Sequence, residues 1–172
     1  MRSSIDILEL TSAIPEQLDE LSRLLIDVVN EGASVGFLPP LEVEEANAYW
    51  RQVNEPGVKL WAAVQDGRII GTVQLQLAGK KNALHRAEIA KLMVHPASRR
   101  NGLAKRLMLT AEEAAHQEGR TLLVLDTREG DPSNLLYQSL GYIEAGRIPG
   151  FAMSAGGSLD ATVIYYKDLR EP

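Results

Sequence analysis

The sequence predicts a mixed α/β domain, and three observations lead to that prediction. Residues 59–64 and 69–77 are predicted as two strands joined at an Asp-Gly dipeptide, which favours a tight antiparallel hairpin. Residues 86–94 are predicted as a third strand, residues 121–127 as an uninterrupted apolar strand, and the segment between them has helical periodicity. A strand, a helix and a second strand in this order predict a parallel pair joined by a crossover.

The N-terminal elements follow from the spacing of apolar residues. Alternation over residues 5–10 predicts a short strand. Leucines and valines then recur at helical spacing after Pro15, and proline suits the first turn of a helix. Glycine and proline in residues 32–40 predict a loop, which a second helix over residues 42–53 follows.

The crossover helix and the C-terminal elements are bounded by proline and glycine. The crossover helix is expected to stop near Gly119, and a later helix opens at Pro132 and closes at Gly141. Residues 142–147 and 161–169 are predicted as the last strands. The glycine-rich sequence PGFAMSAGG between them is predicted to be a loop.

Composition places the chain among ordinary globular domains. It has 172 residues, of which 45% are hydrophobic and 24% are charged, so we expect one domain over residues 1–172. The formal net charge of -5 argues against a general nucleic-acid binder, because that class has a broad basic face.

Absent residue types exclude several chemistries. The chain has no cysteine, so it has no disulfide, no thiol nucleophile and no cysteine-based zinc site. Its three histidines are scattered, and we predict no metal site. The first 17 residues contain Asp6, Glu9 and Pro15 but no long apolar run, which predicts neither a signal peptide nor a membrane anchor. We therefore expect a cytoplasmic protein.

A basic segment, HPASRRNGLAKRLM, occupies residues 95–108 of this acidic chain. Arg99, Arg100, Lys105 and Arg106 surround the start of the predicted crossover helix. Cations are unfavourable there because the helix dipole is already positive at the N-terminus. This arrangement is stabilised when the segment binds an anion.

Small residues in the basic segment let a ligand approach the backbone. Gly102 and Ala104 lie at the predicted helix start, where successive N–H groups form an anion-binding concavity. The pyrophosphate of a nucleotide cofactor fits this description. The chain has no G-x-x-x-x-G-K-[ST] motif, and no G-x-G-x-x-G follows its first strand, which argues against P-loop and Rossmann folds.

The segment KLMVHPASRRNGLAKRLM, followed by NLLYQSLGY, resembles the acetyl-CoA signature of the GNAT superfamily of N-acetyltransferases. GASVGF, RAEIAKLMV, LDTREG and IPGF also resemble the tabtoxin-resistance acetyltransferase group. The resemblance implies a mixed, mostly antiparallel sheet with flanking helices. In that fold the parallel strands 86–94 and 121–127 splay apart, and acetyl-CoA lies in the wedge.

The resemblance also implies which residues hold acetyl-CoA. Many relatives carry an asparagine seven residues before the tyrosine of the second segment, where this chain has Gly130, so Asn134 is a candidate for the same contact. The implied pantetheine and pyrophosphate contacts are Leu92, Met93, Val94, Arg99, Arg100, Asn101, Gly102, Leu103, Ala104 and Lys105, and Tyr137 is a further predicted cofactor-binding residue.

Acetyl transfer from a thioester to an amine needs a base for the amine and a proton for the departing thiolate. Tyr137 is the candidate acid, because its hydroxyl can donate a proton and the resemblance places a tyrosine just before an LGY-type ending. The alternative for Tyr137 is a core aromatic residue whose hydroxyl is hydrogen-bonded.

Glu88 and Asp126 are the alternatives for the base. Glu88 interrupts an apolar strand, where burial would suit a carboxylate to accepting a proton. It could instead be an edge charge that pairs with Arg86 or Lys91. Asp126 ends a buried strand and could bind a substrate ammonium, or it could be a capping or turn residue.

Together these inferences predict an acetyl-CoA-dependent N-acetyltransferase. Transfer would be direct, to a small amine that bears a carboxylate, such as an amino-acid-like toxin or antibiotic. Gly36, Phe37 and the glycine-rich loop are predicted to border the acceptor site, together with Glu88 and Asp126. The alternatives are a protein N-terminus or lysine as acceptor, or a non-catalytic acyl-CoA sensor. We expect a monomer or homodimer that uses no metal and binds neither nucleic acid nor membrane.

Overall fold

The computed structural model describes residues 4–11 and 15–170, which contain seven strands and four α-helices. In chain order these are β1 (Asp6–Glu9), α1 (Pro15–Asn30), α2 (Val43–Gln52), β2 (Val58–Gln65), β3 (Arg68–Leu77), β4 (Arg86–Val94), α3 (Leu103–Gln117), β5 (Leu122–Arg128), α4 (Ser133–Ser139), β6 (Ile143–Met153) and β7 (Leu159–Asp168).

One mixed sheet contains all of these strands, in the order β1-β2-β3-β4-β5-β7-β6. Neighbouring strands are antiparallel except for β4 and β5, which run parallel. The crossover through α3 connects that parallel pair. The mixed, mostly antiparallel sheet with one parallel pair and flanking helices is therefore confirmed.

The predicted hairpin joins β2 to β3. Asp66 and Gly67 have φ angles of 52° and 77°. Two consecutive positive φ angles are typical of the type I′ turn, whose twist matches that of the flanking strands. This local geometry explains why the dipeptide predicted the turn correctly.

Helices cover both faces of the sheet, and alternate residues of β2 pack into two different cores. Leu60 and Ala62 belong to a core that α1 and α2 share. Trp61 and Ala63 belong to a second core, which α3 shares with α4. Because both faces are buried, β2 to β5 are largely apolar on both sides.

The parallel strands separate part-way along their length. β4 and β5 are paired only at Arg86↔Leu122, Ala87↔Leu123 and Glu88↔Val124. Beyond that point β4 stays paired with β3, and β5 stays paired with β7. A wedge therefore opens at the carboxyl ends of the parallel pair, as the resemblance implied.

The predicted loop at PGFAMSAGG is wrong over its first half. Strand β6 continues to Met153, and only residues 154–158 connect it to β7. Register shifts between Glu144 and Gly146 and between Ile148 and Ala152 accommodate the glycines and proline within the strand. Sequence alone could not distinguish these bulges from a loop, because both use the same residue types.

The helices in the described ranges do not meet the requirements for a membrane span. None of the helices there combines the length and the apolar character that a bilayer span needs.

Candidate active site

Two adjoining cavities lie in the wedge between β4 and β5. The first, of about 560 Å³, is bordered by residues 99–105, and we call it the basic cavity. The second, of about 370 Å³, contains four carboxylates, and we call it the acidic cavity. The two cavities share the lining residues Ala33, Val35, Leu92, Arg128, Asp131 and Ser133. A ligand in one cavity can therefore reach a ligand in the other.

The start of α3 gives the basic cavity backbone donors. Gly102 caps the helix in the left-handed conformation, with a φ of 79°, and an added Cβ there would meet no atom within 4 Å. The N–H of Leu103 donates to Asn101 Oδ1 at 3.3 Å. The N–H groups of Ala104 and Lys105 make no hydrogen bond with any described residue. Such free donors at a helix start suit an anion.

Three cations line the basic cavity. The side chains of Arg100 and Lys105 are exposed and form no ion pair within the described ranges. Arg99 uses its Nε to donate to the Val94 carbonyl at 3.1 Å, which leaves its terminal nitrogens for other partners. Arg106 instead donates to the Ile5 carbonyl at 2.9 Å, so its charge is directed towards β1.

The free edge of β4 completes the basic cavity. Leu92, Met93 and Val94 line it at the level where β4 no longer pairs with β5. The Met93 side chain is only 3% exposed and packs in the core with α1. Its contribution to the cavity is therefore through the main chain, whose polar groups need a partner.

Two carboxylates face each other in the acidic cavity. Glu88 on β4 lies opposite Val124, two residues before Asp126 on β5, so both acids are on one face of the sheet. Partial burial raises the pKa of the Glu88 carboxyl, and the negative charge of Asp126 raises it further. Asp126 is held in place because its Oδ2 accepts a hydrogen bond from Thr162 Oγ1 at 2.7 Å.

The structure decides between the alternatives for both acids. Glu88 is not enclosed in the strand, as its apolar neighbours suggested, but opens to the cavity. It forms no ion pair with Arg86, Lys91 or any other described residue. Asp126 lies within β5 opposite Ile164, so it is neither a cap nor a turn residue.

Tyr137 on α4 reaches the same cavity. Its side chain is only 6% exposed, yet its hydroxyl has no hydrogen-bond partner among the described residues. That hydroxyl is not among the polar atoms sealed inside the protein, so it opens to the acidic cavity. Burial raises the pKa of Tyr137, and the charges of Asp126 and Asp131 raise it further. The phenol is therefore protonated at neutral pH and can donate.

Comparison with known proteins identifies the family. The sequence profile of the Acetyltransferase (GNAT) family matches residues 23–142. This chain belongs to the GNAT family. It is an acetyl-CoA-dependent N-acetyltransferase, and acetyl-CoA is its co-substrate.

The chain is also similar to individual proteins in sequence or in fold. The chain is 34% identical, over 65% of its length and 68% of the relative's, to an uncharacterized N-acetyltransferase from Azospirillum brasilense. An N-acetyltransferase from Staphylococcus aureus Mu50 superimposes with a TM-score of 0.82 at 17% identity, over 97% of this chain and 99% of the other. A Salmonella typhimurium protein solved with its cofactor acetyl-CoA has a TM-score of 0.79 at 15% identity, over 98% and 95% of the two chains.

The GNAT resemblance raised Asn134 as a cofactor contact, and the structure gives this residue another role. Its amide nitrogen donates to the carbonyls of Arg128, at 3.0 Å, and Asp131, at 2.9 Å. Its Oδ1 accepts a hydrogen bond from the Tyr165 hydroxyl at 2.8 Å. Asn134 lines neither cavity. It instead fixes the turn between β5 and α4.

Only some of the residues that were predicted to border the acceptor site line the acidic cavity. Gly36 lines the acidic cavity, but Phe37 does not. The Phe37 ring packs edge-on against Tyr49, with ring centroids 5.3 Å apart, in the core beneath α1 and α2. From the predicted glycine-rich loop, Phe151 and Ala152 of β6 contribute to the wall.

Two basic residues of the acidic cavity of this GNAT enzyme were not predicted as site residues. Arg128 donates to Asp131 Oδ1 and to the Gly32 carbonyl, each at 3.0 Å, and also approaches Asp160. These bonds tie the loop after α1 to the end of β5. Lys91 is the second residue. Its signal in the sequence is a break in the alternation of the segment RAEIAKLMV.

Proposed function

We propose that this GNAT enzyme transfers acetyl directly to the amine of a small, amino-acid-like compound. A role in detoxifying a toxin or antibiotic would agree with the sequence resemblance to the tabtoxin-resistance group. One observation carries the proposal. Two carboxylates and an unpartnered phenol share a small cavity that adjoins a cavity rich in anion donors.

The basic cavity would hold the co-substrate. The free N–H groups of Ala104 and Lys105 and the cations around them suit a pyrophosphate. The open main-chain edge of Leu92 to Val94 suits an amide-containing arm that pairs with it as an extra strand would. Acetyl-CoA bound in this way supplies the thioester that the acceptor amine attacks.

Glu88 would be the base. Its pKa is raised towards neutral pH, so the carboxylate accepts a proton more readily than an ordinary glutamate does. Glu88 also forms no ion pair with a described residue that would compete for its charge. Asp126, fixed by Thr162, would orient the acceptor ammonium and help Glu88 to take its proton.

Tyr137 would be the acid. Its hydroxyl is buried, protonated and unpartnered, so it can donate its proton to the departing thiolate. No cysteine is present to carry the acetyl group, so one transfer step between the two substrates suffices.

The size of the acidic cavity favours a small acceptor over a protein. Its volume of about 370 Å³ lies at the small-ligand end of known binding sites. The loop at residues 33–36 and strands β6 and β7 wall it in. A peptide would need an open groove across that wall.

Release of coenzyme A tests the proposal. The panel should contain amino acids, their carboxamides, polyamines and a short peptide with a free N-terminus. We expect release above background with at least one amino acid and none with the peptide. If no amine raises release while acetyl-CoA still raises the melting temperature, the chain is an acyl-CoA sensor and the proposal is wrong.

A further inference from the structure

Strand β4 contains a bulge at Lys91. Thr72 pairs with Met93 and Gln74 pairs with Ala90, so two β4 residues, Lys91 and Leu92, lie opposite the single β3 residue Val73. Lys91 has a φ of 51°, which is unusual for a residue with a side chain. The Thr72 hydroxyl donates to the Lys91 carbonyl at 2.9 Å and holds this conformation. Strained backbone of this kind occurs often at functional sites.

The bulge changes the face on which Lys91 lies. Ala87, Ile89 and Leu92 pack in the core beside α3. Strict alternation after Ile89 would direct residue 91 into that core, where a charge would be costly. The extra residue instead places Lys91 with Glu88 on the wall of the acidic cavity.

The Lys91 ammonium forms no close ion pair with a described residue, although the charges of Asp126 and Glu88 act on it and partly offset the lowering of its pKa by burial. It lies 5.6 Å from the centre of the Tyr49 ring. Gly36 lies beside the ammonium, and a Cβ on that residue would be in van der Waals contact with Nζ at 3.5 Å. Within the part of the chain that the structure describes, Nζ makes neither a hydrogen bond nor an ion pair.

The other charges of the cavity show what Lys91 is available for. Arg128 is engaged with Asp131 and approaches Asp160, so its positive charge is already used by two carboxylates of the protein. Glu88 and Asp126 remain for a cationic amine. Lys91 remains as a cation on the same cavity, partly desolvated by its walls.

We propose that Lys91 is a substrate-binding residue that pairs with the carboxylate of the acceptor. The acidic cavity would then recognise a zwitterion, with the amine at Glu88 and Asp126 and the carboxylate at Lys91. This inference rests on the proposed function and restricts the acceptor to compounds that carry both an amine and a carboxylate. The enzyme would discriminate amino acids from amines of the same shape that lack the carboxylate.

Loop donors next to Lys91 support an anion at this position. The N–H groups of Ser34, Val35 and Gly36 form no hydrogen bond with the described residues. These residues line the acidic cavity, and Gly36 lies next to Nζ. A carboxylate has two oxygens and accepts several hydrogen bonds, so one cation and neighbouring amides can satisfy it.

The test compares each amino acid with its own carboxamide. The two differ in charge and hardly in shape, so the ratio of their kcat/KM values reports recognition of the carboxylate. We expect the wild type to favour the acid by about tenfold to a hundredfold, as for a charge-assisted hydrogen bond. Lys91→Met keeps the long side chain, and in this variant the ratio should fall to near one through the KM of the acid alone.

Two variants serve as controls. Lys91→Arg keeps the positive charge and should retain most of the preference. Lys81→Met removes an exposed lysine in the turn between β3 and β4, and it should leave the ratio unchanged. A wild type without preference, or a Lys91→Met variant that keeps it, would overturn the inference.

Calorimetry separates this inference from the proposed function. The enzyme saturated with coenzyme A is titrated with an amino acid and, separately, with its carboxamide. Neither titration requires turnover. If no amine is acetylated but acids bind more tightly than amides through Lys91, the proposed function fails and the inference stands. If neither compound binds, or both bind equally, the inference fails.

Discussion

The two cavities are built in different ways. The basic cavity takes its anion donors from one continuous segment, residues 99–105, and relies largely on backbone groups. The acidic cavity takes its side chains from the loop after α1 and from β4, β5, α4, β6 and β7, which span most of the chain. A short segment can specify the binding of a shared co-substrate. Recognition of an individual acceptor depends instead on side chains that only the complete fold brings together.

The largest expected effect is at the backbone of the basic cavity. In Gly102→Val, the side chain would occupy the space through which phosphates approach the start of α3, so binding of acetyl-CoA should become undetectable by calorimetry. The left-handed φ of 79° also makes this variant less stable, by about 1–2 kcal/mol.

Gly67 provides a matched control for that strain. Its φ of 77° is nearly the same, and an added Cβ would also meet no atom within 4 Å. Gly67→Val should lose similar stability but keep its affinity for acetyl-CoA. Equal loss of affinity in both variants would show that strain, and not access to the backbone, explains the result.

The next largest effect is expected at Tyr137, the proposed proton donor. Tyr137→Phe removes one hydroxyl, and kcat should fall by about 10²–10⁴-fold while the affinity for acetyl-CoA stays the same. Tyr142→Phe is the control, because the Tyr142 hydroxyl is sealed in the core and its ring lies 5.9 Å from that of Tyr137. Steady-state kinetics that show equal kcat in wild type and Tyr137→Phe would exclude this acid.

Glu88 should control the pH dependence of the reaction. Its raised pKa means that the base becomes protonated as the pH falls, so kcat/KM should drop at acidic pH. In Glu88→Gln, kcat/KM should be about 10²-fold lower, and this acidic limb should disappear. A wild-type acidic limb that persists in Glu88→Gln would assign it to another group.

The same raised pKa has a consequence for stability. The folded protein binds the Glu88 proton more tightly than the unfolded chain does, so this group disfavours folding at pH values above its folded pKa. We therefore expect Glu88→Gln to melt at a slightly higher temperature than the wild type at neutral pH. The difference should vanish as the pH falls and the wild-type carboxyl becomes protonated.

The smallest effect distinguishes two arginines of the same segment. Arg100 is unpaired at the basic cavity, so Arg100→Gln should weaken acetyl-CoA binding by about fivefold, in a salt-dependent way. Arg106 donates to the Ile5 carbonyl, and Arg106→Gln should leave binding unchanged. Calorimetry at low and high salt compares the two. Equal losses would mean that the cavity responds only to net charge.

Local signals predicted the parts of the molecule that depend on neighbouring residues. The hairpin follows from two positive φ angles at Asp66 and Gly67, and the basic cavity follows from the small residues at the start of α3. The strand bulges were not predicted, because their effect depends on the partner strand. The sequence therefore indicates Lys91 only as a possible ion-pair partner of Glu88, because a break in the alternation does not show towards which face the side chain turns.

Side-chain partners explain why two predicted site residues, Asn134 and Phe37, do not line either cavity. Asn134 was a reasonable cofactor contact by its position on α4, but the Tyr165 hydroxyl and two carbonyls occupy its amide. Phe37 belonged to the correct loop, but Tyr49 on α2 supplies a packing partner that turns it into the core. Tyr165 and Tyr49 lie outside the local segments of Asn134 and Phe37, so periodicity and spacing give no signal for these two contacts.

A crystal structure of the enzyme with coenzyme A tests the central claim most directly. We predict pyrophosphate oxygens at about 2.9 Å from the backbone nitrogens of Ala104 and Lys105, with the pantetheine arm along Leu92 to Val94. A complex in which the start of α3 faces bulk water, with the phosphates bound elsewhere, would contradict the account.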